Sequence, residues 1–152
     1  MISKKLTIIA IIIAALTLIV MLVKPYVIDP ALEQNKIIKT LDVMLDDVRL
    51  HEESKNYEKA LSICDEAYVL TYGIKREVAR KIYQCNVNLH QAACYINSGS
   101  LEGEKNKVDE GLEFIEQIFA RIETMKEEIK PGEIKSLIWW ANYYRDFAIN
   151  LE

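Results

Sequence analysis

Apolar residues recur every three or four positions along most of this chain, the spacing typical of amphipathic α-helices. The first such stretch of mixed polarity begins at Asp29 and Pro30, where an N-cap residue is followed by a proline in the first helical turn. Its apolar positions are Ile37, Leu41, Met44 and Val48. This pattern predicts a first helix that ends at the turn-forming residues 54–56.

Four further stretches repeat the pattern up to the end of the sequence. No segment alternates between apolar and polar residues with a period of two, so no strand is expected. Turn-forming residues separate the stretches near Gly73, at 97–100 and at Pro131–Gly132. The predicted stripes run from Tyr57 to Thr71, Val78 to Ile96, Val108 to Ile129 and Ile134 to Leu151. The sequence therefore predicts an all-α domain over 30–152, with about five antiparallel helices.

The N-terminal region has a different composition. Leu6–Val23 contains eighteen residues without a charge. As a helix it would reach about 27 Å, close to the hydrocarbon thickness of a bilayer. We expect a transmembrane anchor at 6–23 that contacts the lipid bilayer, with a linker at 24–29. A cleaved signal peptide is the alternative, but the apolar run is long for one and lacks a small-residue cleavage site.

Charges beside this segment predict its orientation. Lys4 and Lys5 precede it, whereas Lys24 alone follows closely. The positive-inside rule places residues 1–5 in the cytoplasm and the helical domain on the exported side of the cytoplasmic membrane. The alternative keeps the domain in the cytoplasm, a compartment that suits three reduced cysteines.

Small residues at regular intervals open the second predicted helix. The segment from Asn56 to Ala60 reads Asn-Tyr-Glu-Lys-Ala, and a second alanine follows at Ala67. This stretch resembles the second helix of a tetratricopeptide repeat, and a weaker second copy places Gly111 and Ile115 in the corresponding positions. The resemblance implies a stack of helical hairpins that binds proteins or peptides without catalytic residues. A closed helical bundle is the alternative architecture.

Charge and cysteine content exclude several functions. The formal net charge is −4, which argues against nucleic-acid binding because that requires a basic face. The three cysteines lack metal-ligand spacing, and we expect them to be buried apolar side chains. No phosphate loop, nucleophile elbow or zinc motif occurs in the sequence. We therefore expect no metal, no cofactor and no enzymatic activity.

The two histidines are candidate chemical centres. His51 lies among Asp47, Glu52 and other acidic residues, and we interpret it as part of a solvated helix end. His90 and Cys94 lie one turn apart, the spacing of a thiol–imidazole pair. Because the sequence places no orienting or oxyanion-stabilising group beside them, we interpret them as a half-buried histidine next to a core cysteine.

Two candidate partner-binding surfaces remain. On the third helix, four polar residues fall on one face, opposite an apolar stripe, and offer hydrogen bonds to a peptide and its acidic groups. They are Arg80, Gln84, Asn88 and Gln91. On the last helix, Trp140 and Tyr144 fit the core stripe. Trp139, Tyr143 and Phe147 occupy the neighbouring face, as additional core or as a partner contact, and a core role for Trp139 is slightly favoured.

These observations favour a membrane-tethered, non-catalytic protein–protein interaction module. Such a module would act as a subunit or accessory factor of a cell-envelope complex. The alternative is an exported helical-bundle sensor that binds a ligand between its helices.

Overall fold

The computed structural model describes residues 30–130 and 132–151. Helix α1 covers described residues 30–53. It is followed by α2 (Tyr57–Thr71), α3 (Glu77–Glu102), α4 (Lys105–Glu123) and α5 (Lys135–Ile149). The described residues contain these five helices and no strand, which confirms the all-α prediction.

The predicted anchor at 6–23, with its flanking segments 1–5 and 24–29, lies outside the described residues. Among those that are described, no helix combines the length and the apolar character needed to cross a membrane. Residues from Ile37 onward form one compact unit, and its packing is described below.

Helix α3 is the central element of this unit. Its neighbours are α2 on one side and α4 and α5 on the other. One apolar cluster joins α1, α2 and α3 through Leu41, Val48, Ala60, Cys64, Ala67, Val87 and Cys94. A second cluster joins α3, α4 and α5 through Cys85, Ala92, Ile96, Ile115, Ile118, Leu137 and Ala141. Because α3 contributes to both clusters, most of its circumference is covered by other helices.

The predicted end of the third helix is wrong. Residues 97–100 were expected to form a turn, but α3 continues through them to Glu102. Ser98 and Gly99 are buried, and Gly99 lies close to Val108 of α4. Small residues here thus allow α4 to pack closely. The helix ends instead at Gly103, whose φ of 70° is the left-handed conformation that glycine adopts without a steric penalty.

The fourth helix is shorter than its apolar stripe. It ends at Glu123, and the next residues form tight turns in which the Met125 amide donates to the Ile122 carbonyl, three residues back. Met125 and Ile129 are nevertheless buried in the second cluster. The apolar period therefore continues past the helix, because these turns cover one end of the core.

Candidate functional site

The polar row predicted on α3 is not a solvated face. Gln84, Asn88 and Gln91 are buried, and Arg80 is half-buried. Helices α2 and α4 pack on either side of this row and cover most of it. Asn88 and Gln91 instead line a groove between these two helices.

This α2–α4 groove has a volume of about 420 Å³. The Gln91 Nε2 donates a hydrogen bond to Asp65 Oδ1 at 3.0 Å, and Asn88 Nδ2 donates to Gln117 Oε1 at 3.3 Å. The α3 carboxamides are thus tied to both walls. The lining residues are Asp65, Tyr68 and Val69 of α2, Asn88 and Gln91 of α3, and Phe114 and Gln117 of α4.

Two acceptors beneath this groove lack a hydrogen-bond partner. They are the carboxamide oxygens of Asn88 and Gln91, side chains that are 1% and 7% exposed. Leaving a buried acceptor unpaired costs about 1–3 kcal/mol relative to its solvated state. An incoming donor would therefore recover free energy that the unliganded fold lacks.

One end of the groove is cationic. Arg121 donates through NH2 to the Tyr68 hydroxyl at 3.0 Å, and its guanidinium lies over the same ring at 5.9 Å. The second terminal nitrogen of Arg121 is buried without a partner. Burial raises the pKa of the Cys85 thiol to about 11, and the nearby Arg121 guanidinium partly opposes this increase.

Helix α5 exposes a row of aromatic rings to solvent. Trp139, Trp140, Tyr143 and Phe147 are 58%, 44%, 48% and 36% exposed, and we call them the aromatic strip. The core roles considered for Trp139 and Trp140 are therefore wrong: the small residues Ala141 and Ala148 occupy the buried side of the helix.

Ring stacking organises the aromatic strip. Tyr143 stacks on Trp139 at 5.9 Å and on Phe147 at 6.5 Å, with interplanar angles of 12° and 5°. Trp140 and Tyr144 meet the ring of Tyr143 edge-on. These contacts hold side chains of few rotatable bonds in fixed orientations, which lowers the entropic cost of contacting a partner.

A cleft of about 410 Å³ borders this strip, between α1, α3 and α5. The Glu52 side chain of α1 reaches across this cleft to His90 of α3. The His90 Nδ1 lies 3.0 Å and 3.1 Å from the two carboxylate oxygens of Glu52. The lining residues are Arg49, Glu52, Asn86, Leu89, His90, Ala93, Trp140 and Tyr144.

The two predicted surfaces lie on opposite sides of α3. The α1–α3–α5 cleft takes its α3 residues from a face centred on Leu89 and His90. The face that carries Asn88 and Gln91 is turned about 180° away at 100° per residue. The structure therefore does not bring the polar row and the aromatic residues into one site.

The chemistry around Glu52 differs from that of a nucleophilic site. The Cys94 thiol donates to Glu52 Oε1 at 3.6 Å, so Cys94 and His90 meet at a shared carboxylate. Burial, followed by the Glu52 charge, raises the pKa of the Cys94 and Cys64 thiols. A nucleophilic cysteine requires a lowered pKa, which increases the fraction of the reactive thiolate at neutral pH. The geometry agrees with the interpretation of Cys94 as a core residue.

The remaining candidates have structural roles. All three cysteines are buried free thiols, as predicted. His51 lies 3.8 Å from Asp47 of the same helix, near its exposed end. Within the described ranges, no group of three acidic, histidine or cysteine side chains is placed to hold a metal ion.

Sequence reasoning missed two residues that connect helices, Glu52 and Arg121. Both lie far in sequence from their partners, so only the packing brings them together. Comparison of the chain with protein-family models, with curated proteins and with solved structures found no match.

Proposed function

We propose that this chain is a membrane-tethered, non-catalytic protein–protein interaction module that serves as a subunit or accessory factor of a cell-envelope complex. The observation that carries the proposal is the exposure of the aromatic strip on a rigid helix. Aromatic side chains dominate the energy of protein interfaces, and four adjacent exposed rings are unusual on a surface that contacts only water.

The packing around α3 supports a hairpin stack similar to tetratricopeptide repeats. In such a stack the first helices of successive hairpins line one face, which here corresponds to α1, α3 and α5. These three helices supply every residue that lines the cleft beside Trp140. A partner segment seated in this cleft would contact both the aromatic strip and the polar side chains of Asn86 and His90.

An exported sensor is less well supported. It would require a bundle that encloses a ligand pocket between its helices. Helix α3 occupies the centre of the described unit, and its apolar residues fill the space on both sides. The favoured function is therefore binding at a surface.

The tether is proposed from residues 6–23, and the orientation from the lysines before them. In this arrangement the N-terminus is cytoplasmic and the helical domain lies on the exported side of the cytoplasmic membrane. The alternative, with the domain in the cytoplasm, leaves the proposed interaction surface unchanged.

Partner retention by surface variants tests the function. The full chain is tagged, solubilised in mild detergent and compared with Trp139→Ala, Tyr143→Ala and the control Tyr72→Ala, which alters an exposed tyrosine at the end of α2. We expect both α5 variants to lose a co-purifying protein that the control retains, with thermal melting nearly unchanged because these rings are exposed. Equal retention by all variants would contradict the proposal.

A further inference from the structure

The middle of the α2–α4 groove has unused hydrogen-bond acceptors. The unpartnered atoms of Asn88 and Gln91 are both acceptors, and Asp65 adds a carboxylate at the same wall. Such a lining suits a ligand that brings hydrogen-bond donors, because acceptors cannot satisfy one another. Backbone N–H groups and cationic side chains are the donors that a protein partner offers.

The charge at one end of the groove favours cations. Tyr95 of α3 lies between α2 and α4, where it stacks on Phe114 at 5.8 Å. Burial raises the pKa of Tyr95, and so do its hydrogen bond to Glu110 and the charge of Asp65. The Asp65 carboxylate of α2 and the Glu110 carboxylate of α4 therefore both raise the pKa of Tyr95. A lysine or arginine at this end would meet the Asp65 carboxylate and the aromatic face of Phe114. Glu110 lies one helical turn before Phe114 on α4 and adds a second negative charge nearby.

The charge at the opposite end of the groove determines the orientation in which a basic peptide would bind. Arg121, beneath Tyr68, would repel a cation, so the basic side chain belongs at the end with Asp65 and Glu110. Between the two ends, the carboxamide oxygens of Asn88 and Gln91 lie just under the groove surface. A small rotation of each carboxamide would let them accept hydrogen bonds from a backbone.

We propose that the α2–α4 groove binds a basic peptide segment of a partner protein. Its lysine or arginine side chain contacts the Asp65 and Glu110 carboxylates, and its backbone N–H groups bond the carboxamides of α3. This site lies on the side of α3 opposite the aromatic strip. It therefore does not depend on the function proposed for that strip, and occupation of both surfaces would join two partner segments through one domain.

Fluorescence anisotropy with defined probes tests this site on the full chain in mild detergent. The probe is a short labelled peptide of alternating lysine and alanine, and its control replaces each lysine by glutamate. We expect the basic peptide to bind and the acidic one not to bind. Comparable binding of both peptides, or of neither, would overturn the proposal.

Surface variants locate the binding. Asp65→Asn removes one charge from the groove wall, and Glu66→Gln removes one from the adjacent exposed position. We expect Asp65→Asn to weaken binding about tenfold, the typical effect of losing a charge-assisted hydrogen bond, and Glu66→Gln to have little effect. Equal weakening by the two variants would show that the peptide senses only the overall charge, and it would overturn the site.

A core variant separates backbone recognition from charge. Asn88→Leu removes the unsatisfied buried acceptor and also the long hydrogen bond to Gln117, whose exposed side chain can bond water instead. We therefore expect a nearly unchanged melting temperature and weaker peptide binding. If this variant fails to fold, the comparison of Asp65→Asn with Glu66→Gln still tests the site.

A competition experiment tests whether the groove recognises peptide groups as well as charge. Equal competition by spermidine, which carries cations but no peptide groups, would overturn peptide recognition. Trp139→Ala should leave binding of the basic peptide intact. Loss of peptide binding would therefore contradict the groove proposal without contradicting the function proposed for the aromatic strip.

Discussion

Glu52 and His90 connect the first helix of the described unit to its central helix through a two-oxygen contact at 3.0 Å and 3.1 Å. The Cys94 thiol donates to the same carboxylate. Both side chains of the pair are largely buried, at 16% exposure for Glu52 and 25% for His90. The carboxylate therefore satisfies two groups of α3 at once.

Removal of this carboxylate should destabilise the fold. In Glu52→Leu, the His90 imidazole and the Cys94 thiol lose their shared acceptor. We expect the free energy of unfolding to fall by about 1–3 kcal/mol, measured by urea denaturation. The control is Glu53→Gln at the exposed neighbouring position, which should change stability by less than about 0.5 kcal/mol. Equal stability of the two variants would contradict a structural role for the pair.

Gly111 lies where α4 packs tightly against α3. A Cβ atom there would lie 2.6 Å from Ile96 Cγ1 and 3.0 Å from the Ala92 carbonyl oxygen. Since the backbone oxygen cannot rotate away, we expect Gly111→Ala to lower stability by about 1–3 kcal/mol. Gly132→Ala is the matched control, because a Cβ there meets nothing within 4 Å. A neutral Gly111→Ala in thermal melting would show that the helices are less closely packed than described.

Alkaline pH should destabilise the protein through its buried thiols and tyrosines. Burial raises the pKa of Cys64 and Cys94 above the ordinary 9.0, and that of Tyr83 from 10.0 to about 12. The folded state thus favours the protonated forms. Their contribution to stability is complete below pH 9 and is lost as the pH rises above it, because the unfolded chain releases these protons first.

Melting temperatures measured between pH 7 and pH 11 check this prediction. We expect little change up to about pH 8.5 and a steady decline above it. Replacement of Cys64 and Cys94 by alanine should flatten the decline, although both alanines lower stability at neutral pH through lost packing. An identical slope in this double variant would contradict the assigned cause.

Membrane topology is accessible through a single introduced thiol. The three native cysteines are fully buried, whereas Ser54 is exposed in the turn between α1 and α2. We expect Ser54→Cys to react with a membrane-impermeant maleimide in intact cells, and the native chain to remain unlabelled. Labelling of the variant only after lysis would place the domain in the cytoplasm and contradict the proposed orientation.

Sequence periodicity predicted the helices well because it reports the face that each helix buries. The turn at 54–56 was correct, since polar residues there coincide with a real break. The turn at 97–100 was not, because Ser98 and Gly99 serve as small residues under α4 and not as chain breakers. Composition alone does not separate these two uses of the same residue types.

The candidate surfaces were harder to predict than the helices. Helical spacing places Asn88 and Gln91 on one face opposite an apolar stripe, but it does not show that packing with two other helices buries them. The reverse applies to Trp139, whose apolar character suggested core and whose position on α5 is exposed. Helical spacing gives the relative angle of two side chains, but which angle is covered depends on helices far away in the sequence.

Site-specific photo-crosslinking at Tyr143 reports directly on protein contacts made by the aromatic strip. A photoreactive phenylalanine derivative replaces Tyr143, the centre of the aromatic strip, or Tyr72, a more exposed tyrosine just after the C-terminal end of α2. We expect a discrete protein adduct in cells from position 143, absent at position 72 and lost when Trp139→Ala is added. The absence of an adduct at position 143, or equal adducts at both positions, would contradict the claim that this strip binds a protein partner.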